Sequence, residues 1–253
     1  MKALITGASS GIGFEIAKYL ASKKYELILV SRNRDRLEVM QQKLPTKTTI
    51  IVMDLSNEQK VKELCVLIKN QKIDMLINNA GFGSFGEFYS TDLNNDLEMI
   101  NTNIKAVHIL TKFALKNMVK EDSGYILNVA SSAGFMPGGP LMSTYYATKA
   151  YVRSLTESIN QELKKKKSKV VVSLLAPGPV DTNFNNVAGV KFGVKPMKAS
   201  EVARYAIDMM VEKKKMIIIP GTKMKYAKFF SRFLSDRSLL KIAYRIQKKK
   251  DRS

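Results

Sequence analysis

Seven short runs of apolar and often β-branched residues recur along the chain and alternate with segments of helical periodicity. The runs are KALIT, ELILVS, TIIVMDL, DMLINN, YILNVAS, KVVVSLLA and MIIIP. The helical segments between them include GFEIAKYLASK, RDRLEVMQQKL, EQKVKELCVLIKN, NDLEMINTNIKAVHILTKFALKNMV and YYATKAYVRSLTESINQELKKK. Strands that are apolar almost throughout are typical of a parallel sheet buried on both faces. With right-handed crossovers, this pattern predicts a doubly wound α/β domain built on a seven-stranded parallel sheet flanked by helices.

Charge is distributed unevenly along the 253 residues. Residues 1–212 hold 28 lysines and arginines against 20 acidic residues, whereas residues 213–253 hold 14 against two, which is +12 of the formal +20. The chain is 45% hydrophobic, which is enough for one sizeable core. We therefore expect one α/β domain over residues 1–221, followed by a basic amphipathic helical segment over residues 222–253.

Cysteine and histidine are too scarce for a fold that depends on disulfides or metal. Cys65 is the single cysteine, on what we interpret as a buried helix face, so a reducing cytoplasm fits the chain. His108 is the single histidine and cannot build a metal cluster with one cysteine, so we expect no metal. A glycine loop precedes any long apolar run, and no run reaches about 18 apolar residues, so we expect neither a signal peptide nor a spanning helix. No recognised nucleic-acid module accompanies the basic charge, and we expect no nucleic-acid partner.

A glycine-rich loop, TGASSGIG, follows the first strand directly and opens a helix. Gly7, Gly11 and Gly13 have the spacing G-x-x-x-G-x-G rather than the more familiar G-x-G-x-x-G. Glycines allow a tight turn and a close approach of the backbone to a pyrophosphate, whose charge is stabilised at the helix N-terminus. The position of the loop at the carboxyl end of the first strand predicts a dinucleotide-binding site there.

The end of the second strand indicates which dinucleotide is bound. An acidic residue at this position binds the ribose 2′-hydroxyl of NAD, whereas an arginine accommodates the 2′-phosphate of NADP. Here the strand runs into Ser31, Arg32, Asn33 and Arg34, and Arg32 stands where the acid would be. The sequence therefore predicts that NADP(H) is preferred over NAD(H), the alternative being a helix start that is merely basic.

The stretch STYYATKAY contains two adjacent tyrosines and a lysine. Residues four apart share a helix face, so Tyr145 and Lys149 are neighbours, whereas Tyr146 is turned about 100° away. A nearby ammonium favours the phenolate, so we expect Lys149 to lower the pKa of Tyr145 toward the range useful for proton transfer. The alternative is a packed tyrosine and a solvated lysine on an ordinary amphipathic helix.

Six ordered motifs over residues 1–185 resemble those of the short-chain dehydrogenase/reductases. They are TGASSGIG, NNAG at 78–81, Asn103 in INTNIKA, NVASSAG at 128–134, YYATK and PGPVDT at 177–182. The resemblance implies a Rossmann-type fold and a nicotinamide-dependent oxidoreductase with a catalytic set of Asn103, Ser131, Tyr145 and Lys149. Its Y-x-x-x-K pattern selects Tyr145 over Tyr146, and its N-x-x-S-x-x-G register selects Ser131, with Ser132 as the alternative.

The same resemblance implies a role for each residue of the cofactor site. Asp54 would receive the adenine amino group beside Leu55, the residues after the fourth strand would line the ribose, and Lys149 would hold the nicotinamide ribose hydroxyls. The residues after the sixth strand would frame the nicotinamide amide, and Asn103 would hold a water for proton relay. The full expected set is Gly7, Ser9, Ser10, Gly11, Ile12, Gly13, Arg32, Asp54, Leu55, Asn79, Ala80, Gly81, Tyr145, Lys149, Pro177, Gly178, Val180 and Thr182.

Three segments should border the substrate: residues 82–88, residues 135–142 and the loop that follows Thr182. They are rich in Phe, Met, Gly and Pro, which predicts an apolar pocket. We expect hydride transfer between NADP(H) and a carbonyl or secondary alcohol, with an apolar ketone or a 3-oxoacyl-type compound as substrate. The alternative is a catalytically silent dinucleotide-binding sensor or scaffold. We expect a cytoplasmic homodimer or homotetramer.

The segment after residue 221 contains two apolar stripes flanked by basic residues. The first is formed by Tyr226, Ala227, Phe230, Phe233 and Leu234, and the second by Leu239, Ile242, Ala243 and Ile246. One interpretation is that the stripes cap the substrate pocket or pack in an oligomer interface. The other is peripheral contact with an anionic membrane, with aromatic groups inserted and lysines facing the headgroups.

Overall fold

A seven-stranded parallel sheet lies at the centre of the computed structural model, which describes residues 1–184, 188 and 195–248. Its strands are β1 (Lys2–Thr6), β2 (Glu26–Ser31), β3 (Thr48–Val52), β4 (Met75–Asn78), β5 (Tyr125–Val129), β6 (Val171–Leu175) and β9 (Ile217–Ile218), in the order β3-β2-β1-β4-β5-β6-β9. All neighbouring strands pair in parallel. β7 (Val180–Asp181) and β8 (Met197–Lys198) form a separate parallel pair. The predicted doubly wound α/β fold is confirmed.

Helices cover both faces of this sheet. They are α1 (Gly11–Ser22), α2 (Arg34–Lys43), α3 (Glu58–Leu67), α4 (Leu93–Ile100), α5 (Val107–Lys120), α6 (Ser143–Lys165), α7 (Ala199–Val211), α8 (Thr222–Ser231) and α9 (Asp236–Lys248). A π-helix, Asn101–Ala106, joins α4 to α5, and a 3₁₀ turn, Ser132–Phe135, follows β5. Asn33, Asn57 and Asp92 cap α2, α3 and α4 by accepting a backbone N–H bond.

Two apolar layers hold the helices against the sheet. Leu4 and Ile5 are both fully buried but point to opposite faces, because successive side chains of a strand alternate. Ile5 packs in the layer that contains residues of α1 and α7, and Leu4 packs in the layer that contains residues of α3, α5 and α6. Full burial of such a side chain contributes about 1.5–3 kcal/mol. The two layers make the sheet a rigid platform for the residues at its carboxyl edge.

The C-terminal helices meet the domain differently from the other helices. Within α9, the predicted second stripe is only half correct, because Leu239 and Ala243 are buried with Gln247 while Ile242 and Ile246 are exposed. In and just after α8, every member of the predicted first stripe is exposed (Tyr226, Ala227, Phe230, Phe233 and Leu234). The interpretation in which this stripe caps the pocket is therefore wrong: its side chains point away from the domain. No helix of the described residues is both long and apolar enough to cross a bilayer.

Candidate active site

Tyr145, Lys149 and Ser131 meet at the carboxyl end of β5. Tyr145 and Lys149 lie one turn apart on α6, and the Lys149 ammonium is 5.8 Å from the centre of the Tyr145 ring. The Lys149 Nζ donates a hydrogen bond to the carbonyl of Val129, the last residue of β5, at 3.0 Å. Both side chains are buried. The pair that helix spacing predicted is therefore fixed against the neighbouring strand end.

Burial sets the pKa of both groups in this pair. It raises the pKa of the Tyr145 phenol to about 12, and a hydrogen bond with Ser131 acts in the opposite direction. It lowers the pKa of the Lys149 ammonium to about 8. The expected lowering of the Tyr145 pKa by Lys149 is thus not what the structure shows: desolvation of the phenol raises the pKa and outweighs the hydrogen bond with Ser131. Tyr145 is a protonated phenol at neutral pH.

The choice between the two serines is decided by their neighbours. Ser131 caps the 3₁₀ turn, where its Oγ accepts a bond from the Ala133 N–H at 3.2 Å, and its side chain hydrogen-bonds Tyr145. Ser132 begins the turn, and its backbone N–H donates to the Pro177 carbonyl at 2.8 Å. Ser131 is therefore the serine placed beside the phenol.

Asn103 lies in the π-helix and is fully buried. Its amide nitrogen donates to the Phe82 carbonyl at 2.9 Å and to the Thr148 hydroxyl at 3.0 Å, and its oxygen accepts from the Phe82 N–H at 3.1 Å. Thr148 in turn donates to the Tyr145 carbonyl at 2.8 Å. The long helix predicted around Asn103 is thus interrupted by a local bulge that ties the loop after β4 to α6. Thr148 was not among the predicted site residues, although it lies within the YYATK motif.

Tight packing braces the glycine loop after β1. Gly7 and Gly11 have φ of +63° and +58°, in the left-handed region that favours glycine. A Cβ on Gly13 would lie 2.4 Å from the Asn79 amide nitrogen and 2.5 Å from the Gly7 carbonyl oxygen. That amide nitrogen donates to the carbonyls of Thr6 and Gly7 at 3.0 and 3.1 Å. The Asn79 side chain therefore holds the glycine loop in place, and its expected contact with the ribose stays a prediction.

The start of α1 leaves its backbone donors available to an anion. Its N-cap residue, Ser10, is extended and makes no side-chain cap, and its first turn contains no acidic residue. The Thr182 side chain approaches Gly11 closely, so that a Cβ on Gly11 would lie 3.0 Å from its methyl group. A helix N-terminus with free donors and glycines that admit a close backbone approach fit a dinucleotide pyrophosphate.

Polar groups from the ends of β2 and β3 meet beside the glycine loop. The guanidinium of Arg32 is 4.0 Å from the Asp54 carboxylate, and both side chains are about half exposed or more. Asp54 also accepts bonds from the backbone and hydroxyl of Ser56, each at 2.9 Å. The Ser31 hydroxyl donates to the Ser9 hydroxyl at 2.7 Å, which links β2 to the glycine loop. Ser31 was not among the predicted site residues, although it adjoins Arg32.

The remaining expected cofactor residues lie along the same edge. Gly81 is so close to Asn103 and Lys149 that a Cβ on it would lie 2.8 Å from the Asn103 oxygen and 3.3 Å from the Lys149 ammonium. Gly178 packs against Met224 of α8. Leu55 and Val180 are buried, whereas Ile12 and Ala80 are partly buried against the two apolar layers.

An apolar cluster surrounds the exposed side of this site. Its buried members are Met99, Ala133, Met142, Tyr145 and Ala188, and Phe82, Phe85, Tyr146 and Phe184 pack against them. The rings of Phe184 and Tyr145 are 5.3 Å apart. Phe135, expected to border the substrate, has the cations of Arg153 and Lys228 within 4.6 and 4.1 Å of its ring centre. Residues 185–187 and 189–194 of the expected substrate loop lie outside the described residues.

The C-terminal helix α9 adds a residue to this cluster that sequence reasoning missed. The side-chain amide of Gln247 is buried and donates a hydrogen bond to the Tyr146 hydroxyl. Leu240 of α9 packs against Gly138. The only sequence signal for this contact is a polar residue at the end of an apolar stripe, which does not identify its partner.

The known proteins that resemble this chain in sequence or in structure are short-chain dehydrogenases and other oxidoreductases. The sequence profile described as short chain dehydrogenase matches residues 1–190. An uncharacterised oxidoreductase of Staphylococcus epidermidis is 32% identical over 204 residues, which is 79% of this chain and 86% of that protein. A short-chain dehydrogenase of Sphingobium yanoikuyae, solved in complex with NADPH, is 26% identical with a TM-score of 0.81, over 92% of this chain and 93% of that one. The very-long-chain 3-oxoacyl-CoA reductase of Rattus norvegicus is 31% identical over 172 residues, 65% of this chain and 55% of that protein.

Proposed function

The chain belongs to the short-chain dehydrogenase family of oxidoreductases, and on that premise we propose that it transfers hydride between NADP(H) and an apolar ketone or 3-oxoacyl compound, or the corresponding secondary alcohol. One observation carries the proposal. The Tyr145 phenol hydrogen-bonds Ser131, lies one helix turn from Lys149 and forms part of an apolar cluster. A proton donor beside an apolar binding surface is what reduction of an apolar carbonyl requires.

The chemistry is shared among the side chains around Tyr145. The nicotinamide, when bound, supplies the hydride. Tyr145 gives the proton of its hydroxyl to the carbonyl oxygen in reduction and takes it back in oxidation. Ser131 donates a hydrogen bond to the same oxygen, where negative charge develops, so it stabilises the transition state more than the ground state. Lys149 would hold the nicotinamide ribose, and its ammonium would stabilise the phenolate that remains after proton transfer. Asn103 holds the loop after β4 in register with Tyr145, through Phe82 and Thr148.

The cofactor half of the proposal rests on two features. The uncapped N-terminus of α1 and the glycine loop would hold the pyrophosphate. Arg32, with the hydroxyls of Ser9 and Ser31, would hold a 2′-phosphate, since an arginine binds phosphate through several donors at once. The NADPH complex of the Sphingobium yanoikuyae relative supports NADP(H) as the preferred cofactor.

The substrate half rests on the apolar cluster beside Tyr145. Its methionine and phenylalanine side chains offer an adaptable surface and few hydrogen-bonding groups, which favours a long or bulky apolar substrate. The name of the Rattus norvegicus relative supports a 3-oxoacyl compound within this class. We further propose that the protein is a cytoplasmic homodimer or homotetramer. Light scattering of the purified protein measures its oligomeric state.

The test is a screen of ketones, 3-oxoacyl thioesters and secondary alcohols of increasing chain length with NADPH and with NADH, followed by the absorbance of the reduced nicotinamide. We expect turnover that increases with apolar chain length and is faster with NADPH. The variant Tyr145→Phe in the same screen separates true turnover from contaminating activity. NADPH binding without turnover on any compound would favour the catalytically silent sensor instead.

A further inference from the structure

Helix α8 is oriented with its aromatic side away from the protein. Its partly buried residues are Met224, Lys228 and Ser231, which lie on one face at helical spacing. Met224 packs on Gly178, and the Lys228 ammonium lies 4.1 Å from the centre of the Phe135 ring. The opposite face is formed by Tyr226, Phe229, Phe230 and Phe233, which are 64%, 51%, 60% and 73% exposed. A helix that merely covered the domain would turn these rings inward.

The exposed rings and their neighbour Leu234 form one patch, called here the aromatic face (Tyr226, Phe229, Phe230, Phe233 and Leu234). Phe229 contacts Phe230 and Phe233 edge to face, with ring centres 5.5 Å apart in each pair. Nine of the 21 large hydrophobic residues exposed in the described chain lie between Tyr226 and Ile246. Exposed apolar groups that are gathered in one segment, unlike single ones, mark an interaction surface.

Positive charge surrounds the aromatic face. Residues 222–248 contain eight lysines and arginines, at positions 223, 225, 228, 232, 237, 241, 245 and 248, and one acidic residue, Asp236. None of these eight cations lies within 4.0 Å of a carboxylate of the described residues. No carboxylate of the described residues therefore neutralises them; Lys225 and Lys228 lie over the rings of Tyr205 and Phe135, and the other six are available to an anionic partner.

We propose that α8 and α9 dock on an anionic lipid surface, with the aromatic face inserted at the headgroup level and the surrounding cations against the phosphates. Aromatic side chains partition into this interfacial region, and each nearby cation adds attraction to anionic lipid. A protein partner would need an acidic, apolar groove, whereas a lipid surface supplies both chemistries without a matching shape. The length of the helices agrees with docking on the surface, since neither can cross a bilayer.

The docking surface is continuous with the active site. Gln247 of α9 bonds Tyr146, the neighbour of Tyr145, and Met224 of α8 packs on Gly178 at the cofactor edge. Docking would therefore place the apolar cluster around Tyr145 near the lipid, where an apolar substrate is concentrated. This consequence for the substrate rests on the proposed function, whereas the docking itself does not.

Flotation of the full chain with vesicles tests the docking without any measurement of activity. The vesicles are phosphatidylcholine alone, or phosphatidylcholine with phosphatidylglycerol, each at low and high salt. We expect binding to the anionic vesicles only, and weaker binding at high salt because the charges are screened. Replacing Arg232, Arg237 and Lys241 by Gln should weaken that binding about tenfold or more. Replacing the exposed Lys164, Lys165 and Lys166 by Gln removes the same charge from the end of α6 and should have a much smaller effect.

The aromatic contribution is tested with Phe229→Ser/Phe233→Ser against the control Val66→Ser/Leu67→Ser, which removes similarly exposed apolar groups from α3. Only the first pair should reduce binding.

The proposal is overturned if the protein binds neither kind of vesicle, or if the test and control variants lose binding equally. It is also overturned if light scattering shows that the Phe229→Ser/Phe233→Ser variant loses an oligomer present in the wild type while vesicle binding is unchanged. Turnover of a short, water-soluble ketone is measured separately, so failure of the proposed reaction leaves the flotation result interpretable.

Discussion

The amide of Gln247 donates a hydrogen bond to the hydroxyl of Tyr146, across 101 residues of sequence, and so joins α9 to the helix that carries Tyr145. The two adjacent tyrosines therefore have different partners, because a step of one residue turns the side chain by about 100°. Tyr145 faces Ser131 and Lys149, whereas Tyr146 faces the C-terminal helix. One tyrosine is placed for proton transfer and the other for holding α9.

Replacing each tyrosine by phenylalanine should separate these roles. Tyr145→Phe removes the proton donor, and we expect kcat to fall about 10²- to 10⁴-fold while NADPH affinity is retained. Tyr146→Phe should leave kcat within a few fold. It should nevertheless lower the free energy of unfolding by about 1–3 kcal/mol, because the Gln247 amide nitrogen loses its hydrogen-bond partner. The oxygen of the same amide is already unpaired among the described residues. Steady-state kinetics and thermal unfolding measure the two effects. Equal losses of kcat would contradict the assignment of Tyr145.

Arg32 should determine the cofactor preference. Arg32→Asp places a carboxylate where we propose the 2′-phosphate binds. We expect NADPH to bind about tenfold more weakly or worse, and NADH to bind as well or better. The effect is modest because the Arg32 side chain is 65% exposed. Arg34→Asp is the matched control, since Arg34 is equally exposed and pairs with Glu38 on its own helix. Fluorescence titration is direct because the chain has no tryptophan. If both variants weaken NADPH equally, Arg32 contributes only general positive charge.

The buried ammonium of Lys149 should impose a pH limit on the enzyme. Because burial lowers its pKa to about 8, the charged form predominates below pH 8 and is lost as the pH rises through that value. Tyr145, with a pKa of about 12, stays protonated over the same range. We therefore expect kcat/KM for NADPH, which reports groups of the free enzyme, to decline above about pH 8.

The variant Lys149→Arg checks the origin of this limit. Arginine keeps its charge at every pH of interest, so any activity that remains should no longer decline near pH 8. A decline that persists unchanged in this variant would show that another group is responsible.

The glycine loop should not tolerate a methyl group at position 13. A Cβ there meets the Asn79 amide and the Gly7 carbonyl within 2.5 Å, and the carbonyl belongs to the backbone and cannot rotate away. We expect Gly13→Ala to weaken NADPH binding by at least about tenfold and to destabilise the fold by about 1–3 kcal/mol. Asn79→Ala removes one of the two obstacles but also the bonds to Thr6 and Gly7.

The double variant Gly13→Ala/Asn79→Ala tests whether the two residues act through this contact. Its loss of stability should be smaller than the sum of the single losses, because the clash is partly relieved. Strict additivity would indicate that the two positions act independently.

The sequence determined what depends on local spacing. Three such patterns were read directly: the seven apolar runs, the glycines after the first strand, and the four-residue step from Tyr145 to Lys149. The confirmed fold follows from the seven apolar runs. The apolar pattern predicted one long helix around Asn103, and the π-helix within it is visible only in the structure.

Only the tertiary structure decided what depends on burial and on contacts between distant residues. Whether the pKa of Tyr145 is raised or lowered depends on how completely the folded chain removes water from the phenol. The use of Asn79 to brace the glycine loop requires the meeting of β1 and β4, and the bond from Gln247 to Tyr146 requires the docking of α9 on α6. The sequence also did not determine which side of α8 faces solvent. An amphipathic pattern distinguishes an apolar face from a polar face but does not show which of them contacts the rest of the protein. Two lysines of α8, Lys225 and Lys228, lie over the rings of Tyr205 and Phe135 and so help to set one side of the helix against the protein.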